Sequence, residues 1–207
     1  MFVTHCDTTI DASNITVILL NDLRCTPKVG IINPISGQLA LTAGDGITIT
    51  GTNVTLNLNG KTITSNPYQG GTDVFIATGF ANTGVMIGAR TRAANVRVVN
   101  GTIVNFTYGI DVRSVDGVGI VLVKATGGRR GIRVAKPGGS VTNVCLFANA
   151  LDVNGIGVVV NVPVAAFSMF SNNFFRSNTC AIGLPPGVVG NPFPLNEFLG
   201  NTRTTCG

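Results

Sequence analysis

The chain repeats one short strand-like pattern four times: Gly109-Ile110-Asp111-Val112, Gly131-Ile132-Arg133-Val134, Ala150-Leu151-Asp152-Val153 and, in degraded form, Ala181-Ile182-Gly183-Leu184. Successive copies begin 19 to 31 residues apart, and recurrence of a short pattern at such intervals is typical of a solenoid. The earlier stretch 54–64 alternates apolar and polar residues and is interrupted by Asn59-Gly60, as a half-buried strand ending in a tight turn should be. The repeated unit is therefore a β-strand, and the sequence predicts an all-β solenoid.

Composition supports one extended domain. The 207 residues include 27 glycines and no tryptophan, and only 11% are charged, whereas Val, Ile, Thr, Asn and Gly fill long segments. No linker divides the chain, so we expect one domain over residues 1–207, with an N-terminal cap region at 1–30 and a C-terminal tail or cap at 185–207. The longest apolar segment, 155–170, is interrupted by Asn161 and Pro163, so we expect no membrane span.

The five cysteines are an odd number, so at least one has no partner within the chain. Cys6 and Cys25 flank the first segment, and Cys180 and Cys206 flank the last. We expect each pair to form a disulfide at one end of the solenoid, where the open stack of coils needs a cap. Cys145 would then be a free thiol that acts as a small buried apolar residue rather than as a nucleophile. Two disulfides imply an oxidising compartment, which predicts a protein that is secreted or at the cell surface.

Three stretches carry a family resemblance: Asn21-Asp22-Leu23-Arg24-Cys25, the segment from Asn53 to Ile63, and Asn100-Gly101-Thr102-Ile103, which leads into Gly109-Ile110-Asp111-Val112. They resemble the right-handed parallel β-helix repeat proteins of the pectin-lyase-like superfamily, over about residues 6–184. The resemblance implies a single-stranded right-handed parallel β-helix, with apolar side chains inside and Gly or Asn at corners of positive φ. It implies no single activity, because the superfamily includes polysaccharide lyases, glycoside hydrolases, epimerases, phage tail fibres and members without known activity.

Alignment of the repeats places Asp111, Arg133 and Asp152 in one column. Their side chains alternate with inward Ile, Leu and Val, so we expect them to point outward. In an enzyme of this superfamily, such a column would be the catalytic centre of a polysaccharide lyase or glycoside hydrolase. We favour the alternative of a ladder of paired charges that fixes the register between coils.

Acidic residues are too sparse for an obvious enzyme. Only nine are present, and Asp111, Asp116 and Asp152 form the one plausible catalytic set. The single histidine, His5, is adjacent to the first cysteine, which leaves little scope for histidine-dependent nucleophilic catalysis. We therefore expect no catalytic residue, no metal site and no cofactor.

Basic residues are concentrated in the middle of the chain. Eight lie between residues 90 and 133, against Asp111 and Asp116: Arg90, Arg92, Arg97, Arg113, Lys124, Arg129, Arg130 and Arg133. Such a belt attracts polyanions, and we expect Arg113, Arg129 and Arg130 to bind an acidic polysaccharide. The alternative is a solvated belt without a ligand. Nearby aromatic residues are limited to Phe106 and Tyr108, too few for a base-stacking surface, so we expect no nucleic acid partner.

Apolar residues occupy both faces of the segment 155–164. Only one face of a strand in a one-layer tube points inward, so we expect Val158, Val160 and Val162 to form an outer apolar surface. A second subunit would cover it, which predicts a homo-oligomer, most simply a dimer; cover by the connection between Leu151 and Ile182 is the alternative.

The sequence thus predicts a stable, non-catalytic, oligomeric β-helix protein with a structural or glycan-binding role. The alternative is a lyase or hydrolase that acts on an acidic polysaccharide. An ice-binding solenoid is disfavoured, because the Thr-x-Thr units at 48–50 and 62–64 do not recur at the same offset in later coils.

Overall fold

The structure is a computed structural model that describes residues 1–26, 28–32, 39–42, 46–66, 83–89, 91–135, 140–188 and 190–207, the side chains of 28–32 and 39–42 excepted. The strands of these residues are, in chain order, β1 (Phe2–Val3), β2 (Thr8–Ile10), β3 (Ile15–Leu19), β4 (Leu23–Cys25), β5 (Lys28–Ile32), β6 (Leu39–Thr42), β7 (Ile47–Ile49), β8 (Val54–Asn57), β9 (Thr62–Ser65), β10 (Thr83–Ile87), β11 (Ala93–Val104), β12 (Tyr108–Val112), β13 (Val115–Thr126), β14 (Arg130–Ala135), β15 (Val141–Phe147), β16 (Ala150–Asp152), β17 (Ile156–Asn161), β18 (Phe167–Ser171), β19 (Phe174–Arg176), β20 (Cys180–Gly183), β21 (Glu197–Leu199) and β22 (Arg203–Cys206). A short 3-10 turn covers Val164–Ala166, and no helix among the described residues has the length and apolarity needed to cross a membrane.

In the described part of the chain, two parallel sheets run side by side. The eight-stranded sheet has the order β2-β7-β10-β12-β14-β17-β20-β22, so every neighbour is the next strand of that sheet along the chain. The twelve-stranded sheet follows β1-β3-β8-β11-β13-β16-β19-β21, with β4, β9, β15 and β18 paired beside this path. The chain therefore returns to each sheet repeatedly and adds a parallel strand each time, which is compatible with a β-helix. Strands β5 and β6 form a separate antiparallel pair.

Apolar side chains from both sheets form one buried cluster that runs from Val3 to Phe193. Burial alternates along the twelve-stranded sheet: in β13, Val118 and Ile120 are buried, whereas Gly119 between them is not. Every residue of β10 and β20, in contrast, is buried. The eight-stranded sheet is thus buried on both faces over much of its area, and strands in that situation are apolar without alternation.

The expected outer valine surface is wrong. Val158 and Val160 are fully buried in the core, and Val162 is buried as well. The residue of β17 that pairs with Arg133 on the outer face is Val159, and it too is buried. The run of valines therefore reflects a strand covered on both faces. A homo-oligomer stays a prediction, and Val158, Val160 and Val162 do not provide its interface.

Glycines let successive strands of the eight-stranded sheet approach closely. A Cβ atom on Gly109 would lie 2.5 Å from the carbonyl oxygen of Gly131, and one on Gly131 would lie 2.6 Å from that of Gly157. Real Cβ atoms do not approach a carbonyl oxygen so closely, so Gly109 and Gly131 are required by the packing of neighbouring strands.

Two ladders of buried or half-buried asparagines tie the last layers together: Asn149, Asn173 and Asn196, and Asn154, Asn178 and Asn201. Oδ1 of Asn173 accepts hydrogen bonds from the backbone N–H of Asn149 at 3.0 Å and from its Nδ2 at 2.9 Å. Nδ2 of Asn173 donates to the carbonyl of Leu146 at 3.0 Å. Each rung thus supplies partners to buried backbone groups that water does not reach.

Both expected disulfides are present. Cys6 is bonded to Cys25, which ends β4, and Cys180 of β20 is bonded to Cys206 of the neighbouring strand β22. Cys145 is free and half-buried. The disulfides therefore secure the first and last strands that the structure describes.

Candidate functional site

The predicted column of Asp111, Arg133 and Asp152 is present only in part. Asp111 of β12 is in register with Arg133 of β14, but the next residue in that row is Val159. Asp152 lies in β16 of the twelve-stranded sheet, in register with Thr126. Placing all three residues in one column was wrong, because the strands of both sheets carry the same apolar alternation and 150–153 was matched to the wrong sheet.

Asp111 is held by two arginines. Its carboxylate is completely buried and accepts hydrogen bonds from Nε of Arg133 at 2.7 Å and from Nε of Arg113 at 2.7 Å, with a further bond from Nη2 of Arg133. The hydrogen bonds to Asp111 raise the pKa of the Arg133 guanidinium above its ordinary value. A carboxylate neutralised in this way is a poor base or nucleophile, and the geometry is that of a structural ion pair.

Arg130 and Tyr108 extend the group around Asp111. Nη1 of Arg130 donates to the Tyr108 hydroxyl at 2.9 Å, and the guanidinium carbon of Arg133 lies 4.0 Å from the centroid of the Tyr108 ring. We call Arg113, Arg130 and Arg133, together with Asp111 and Tyr108, the arginine cluster. Of the predicted ligand-binding arginines, the structure thus brings Arg113 and Arg130 into one cluster.

Two further basic residues of the predicted belt lie elsewhere. Arg129 is exposed at the corner before β14 and makes no ion pair among the described residues. Arg90 lies outside the described residues.

The other two candidate carboxylates have binding partners of their own. Asp152 is almost fully buried and accepts a hydrogen bond from Nη2 of Arg176 at 2.8 Å, with Nζ of Lys124 at 3.4 Å. Asp116 lies near the start of β13, whereas Asp152 is in register with Thr126 at the end of that strand. An inverting glycosidase needs its two carboxyl groups about 6.5–9.5 Å apart, which this arrangement does not provide.

Asp116 is exposed and bound to its neighbours. Oδ1 accepts from Oγ1 of Thr142 at 2.6 Å and from Nδ2 of Asn143 at 3.1 Å, and these two bonds lower the pKa of the carboxyl below its ordinary value. No group of three or more His, Cys, Asp or Glu side chains suited to a metal ion occurs among the described residues.

Replacing Asp111 by asparagine is expected to destabilise the fold by about 2 kcal/mol, because Arg113 and Arg133 both lose a buried counter-charge. This is less than the full cost of breaking a buried ion pair, because solvent reaches part of each arginine side chain. The matched control, Asp116→Asn, removes an exposed carboxylate but keeps an oxygen that accepts from Thr142 and Asn143, so it should change stability much less. Urea unfolding of the two variants measures both values. Equal effects would contradict a structural ion pair at Asp111.

An open groove crosses the outer face of the twelve-stranded sheet. Gly119 of β13 is in register with Arg97 of β11 on one side and Cys145 of β15 on the other. The adjoining position, Gly117, lies between Asn95 and Asn143. The missing side chains of the two glycines leave a cavity of about 340 Å³, lined by Asn95, Val96, Arg97, Gly117, Val118, Gly119, Val121, Asn143 and Cys145.

A ladder of exposed asparagine side chains ends at this groove. Nδ2 of Asn53 donates to Oδ1 of Asn14 at 2.7 Å, and Nδ2 of Asn95 donates to Oδ1 of Asn53 at 2.9 Å. Gly117, with φ 80°, occupies the next rung. A Cβ at Gly117 would lie 2.8 Å from Oδ1 of Asn95, so this oxygen lies directly over the glycine. Among the described residues no donor meets Oδ1 of Asn95, which leaves a hydrogen-bond acceptor at the groove.

Arg97 forms part of one wall of the groove. Its Cγ and Nε would be 3.7 and 3.9 Å from a Cβ on Gly119, and it forms no ion pair with any described residue. Burial raises the pKa of the Cys145 thiol, although the nearby Arg97 charge acts in the opposite direction. The groove therefore offers an uncompensated guanidinium, side-chain amides and a thiol that is mostly protonated at neutral pH.

The groove was not predicted from the sequence, although two glycines inside a strand pattern are a recognised sign of close approach by another molecule. Comparison of this chain with protein-family models, curated proteins and solved structures gives no match.

Proposed function

We propose that this protein is a right-handed parallel β-helix of the pectin-lyase-like kind that binds an acidic glycan without chemically altering it. The observation that carries the proposal is the groove over Gly117 and Gly119, with Arg97 and two asparagines along its walls. The two disulfides favour secretion or display at the cell surface.

The shape of the groove suits a single saccharide chain. Its walls belong to the strands on either side of β13, so they stand roughly 10 Å apart, twice the spacing of neighbouring strands. Glycine at the floor allows a sugar ring to lie against the backbone, and apolar atoms of Val121 extend that floor. Asn95 and Asn143 place amide groups at the rim, where they match sugar hydroxyls.

The charge of the groove favours an acidic ligand. Arg92 is 3.5 Å from Asp116, but Arg97 has no acidic partner among the described residues. A guanidinium pairs in a forked, two-bond geometry with a carboxylate, as a uronic acid provides. The ion pairs of the buried carboxylates support the absence of catalysis: Arg113 and Arg133 bind Asp111, and Arg176 and Lys124 bind Asp152.

The test is calorimetric titration with an oligogalacturonate and, in parallel, with a neutral glucan oligosaccharide of the same length. We expect saturable binding of the acidic ligand that weakens with salt. Gly119→Leu fills the groove, and its new side chain meets only the movable Arg97, so the fold should tolerate it. We expect this variant to lose at least about tenfold in affinity, a change of 1.4 kcal/mol.

The matched control is Thr16→Leu, an exposed position of the same outward row, three strands from Gly119. It should bind as the unmodified protein does. Arg97→Gln should lower the affinity for the acidic ligand and reduce its salt dependence. No saturable binding, or wild-type affinity in Gly119→Leu, would overturn the proposal. Slow cleavage of the oligosaccharide during the titration would overturn the non-catalytic part.

A further inference from the structure

The arginine cluster on the eight-stranded sheet carries excess positive charge. Arg113 and Arg133 bind the carboxylate of Asp111, and Arg130 binds the hydroxyl of Tyr108, so three positive charges and one negative charge leave a net charge of +2. The Arg133 side chain is 17% exposed and that of Arg113 is 30% exposed, so the charges are partly removed from water yet reachable from it. Excess charge of one sign in such a place is unfavourable unless a counter-ion binds.

Two buried polar atoms beside the cluster have no partner. Nε of Arg130 and Oγ1 of Thr83 are both inaccessible to solvent and make no hydrogen bond. Thr83 is in register with Tyr108, and Tyr108 is in register with Arg130, so the three residues lie in one row across adjacent strands. A buried donor without an acceptor costs free energy, and an unmet group of this kind indicates a missing water, ion or ligand.

Donors of the cluster remain after its internal bonds are counted. Arg133 uses Nε and Nη2 on Asp111, Arg113 uses Nε, and Arg130 uses Nη1 on Tyr108. Nη1 of Arg133, both Nη atoms of Arg113, and Nε and Nη2 of Arg130 have no acceptor among the described residues. These donors belong to three guanidinium groups on different residues. A tetrahedral anion directs its oxygens toward several groups at once and suits such donors better than a planar carboxylate does.

We propose that the arginine cluster is a binding site for a tetrahedral oxyanion of charge −2, a sulfate or phosphate group. One such anion neutralises the net charge of the cluster and accepts from the remaining guanidinium donors, Nε of Arg130 among them. The site lies on the eight-stranded sheet and is independent of the glycan groove on the twelve-stranded sheet. The same charge and shape are offered by a free sulfate or phosphate ion and by a phosphate monoester on a sugar, which carries about −1.5 to −2 at neutral pH.

The experiment is thermal unfolding and calorimetric titration with sodium sulfate and sodium phosphate, against sodium chloride at matched ionic strength. We expect sulfate or phosphate to raise Tm in a saturable manner that chloride does not reproduce, because a ligand bound only by the folded state stabilises it. Galactose 6-phosphate, titrated in the same way, distinguishes the sources: tighter binding than inorganic phosphate assigns the site to an ester, and weaker binding assigns it to the free ion.

Variants separate the site from general charge effects. Arg130→Gln should weaken sulfate binding at least about tenfold, and Arg130→Lys should also weaken it because the lysine lacks the Nε donor. Arg129→Gln, the exposed neighbour, should leave binding unchanged, and so should Arg97→Gln in the glycan groove. Wild-type affinity in Arg130→Lys, or a Tm increase that chloride reproduces, would overturn the proposal whatever the outcome of the glycan titration.

Discussion

Replacing Asn173 by alanine is expected to destabilise the protein by about 4 kcal/mol, a large share of the stability of a domain of this size. The substitution removes the acceptor of the Asn149 N–H and the donor to the Leu146 carbonyl, and both Asn149 and Asn173 are buried. Each backbone group left without a partner costs about 1–3 kcal/mol, and the space of the lost amide adds to that cost. Urea unfolding followed by circular dichroism measures the difference.

Asn161→Ala is the matched control for this prediction. Asn161 is exposed at the end of β17 and its side chain makes no hydrogen bond among the described residues, so the change should be less than about 0.5 kcal/mol. Asn149→Ala combined with Asn173→Ala should cost less than the sum of the single changes, because the two side chains share a hydrogen bond. Strict additivity, or an Asn173→Ala loss as small as that of the control, would rule out the ladder as a source of stability.

The ladders have a sequence signal that apolar patterning overlooks. Asparagines five residues apart occur three times, at intervals of 24 and 23 residues: Asn149 and Asn154, Asn173 and Asn178, and Asn196 and Asn201. Side chains at equivalent corners of successive layers lie one strand spacing apart, within reach of an amide hydrogen bond. Repeated polar residues therefore give the register of this fold more directly than repeated apolar ones.

Apolar patterning predicted the type of structure because period-two alternation is a property of each strand alone. The stretch 54–57 is a strand in which Val54 and Leu56 are buried, and Asn59-Gly60 follows as a turn with positive φ at both residues. The all-β class followed from such local signals, whereas parallel pairing was implied by the family resemblance and the disulfides were predicted from the positions of the cysteines near the two ends. Which strand lies beside which does not follow, because the same alternation fits either sheet.

Asp152 shows where that ambiguity produced an error. Ala150-Leu151-Asp152-Val153 matches the repeat in letters, yet it pairs with Phe174-Phe175-Arg176 and belongs to the twelve-stranded sheet. Three successive strands of the eight-stranded sheet have glycine at this position, Gly109, Gly131 and Gly157, where a Cβ would collide with the neighbouring strand, and the next strand has Ala181. The glycine at 157 is therefore a sequence signal for the strand that places Val159 beside Arg133.

The valines at 158 and 160 were misplaced for a different reason. A strand with one solvated face alternates, whereas a strand covered on both faces is apolar throughout, and the sequence alone does not say what covers the outer face. The glycan groove is similar: Gly117 and Gly119 are visible in the sequence, but the groove forms only because Arg97 and Cys145 lie on the two neighbouring strands. Sites built from adjacent layers depend on register, and register is what the apolar pattern leaves open.

Breaking both disulfides is expected to lower the free energy of unfolding by about 6 kcal/mol, about 3 kcal/mol for each bond. The bonds close segments with sequence separations of 19 and 26 residues, and their main effect is to restrict the unfolded chain. One bond joins the segment before β2 to β4, and the other joins β22, an end strand of its sheet, to β20. Urea unfolding with and without a phosphine reductant measures the total loss of unfolding free energy. Two double variants measure the contribution of each bond: Cys6→Ser with Cys25→Ser, and Cys180→Ser with Cys206→Ser.

Cys145→Ser is the control, because it removes the free thiol without opening a disulfide, and it should cost less than about 1 kcal/mol at this half-buried position. The order of unfolding distinguishes a local from a global role for the bonds. If each bond holds only its own end, hydrogen exchange after reduction should accelerate in β22 and in β2 to β4 while β11 to β14 stay protected, because the ends of a stacked fold open independently of its middle. Uniform acceleration across all strands would mean that the layers unfold as one unit, and an unchanged urea midpoint after complete reduction would show that the disulfides contribute nothing to stability.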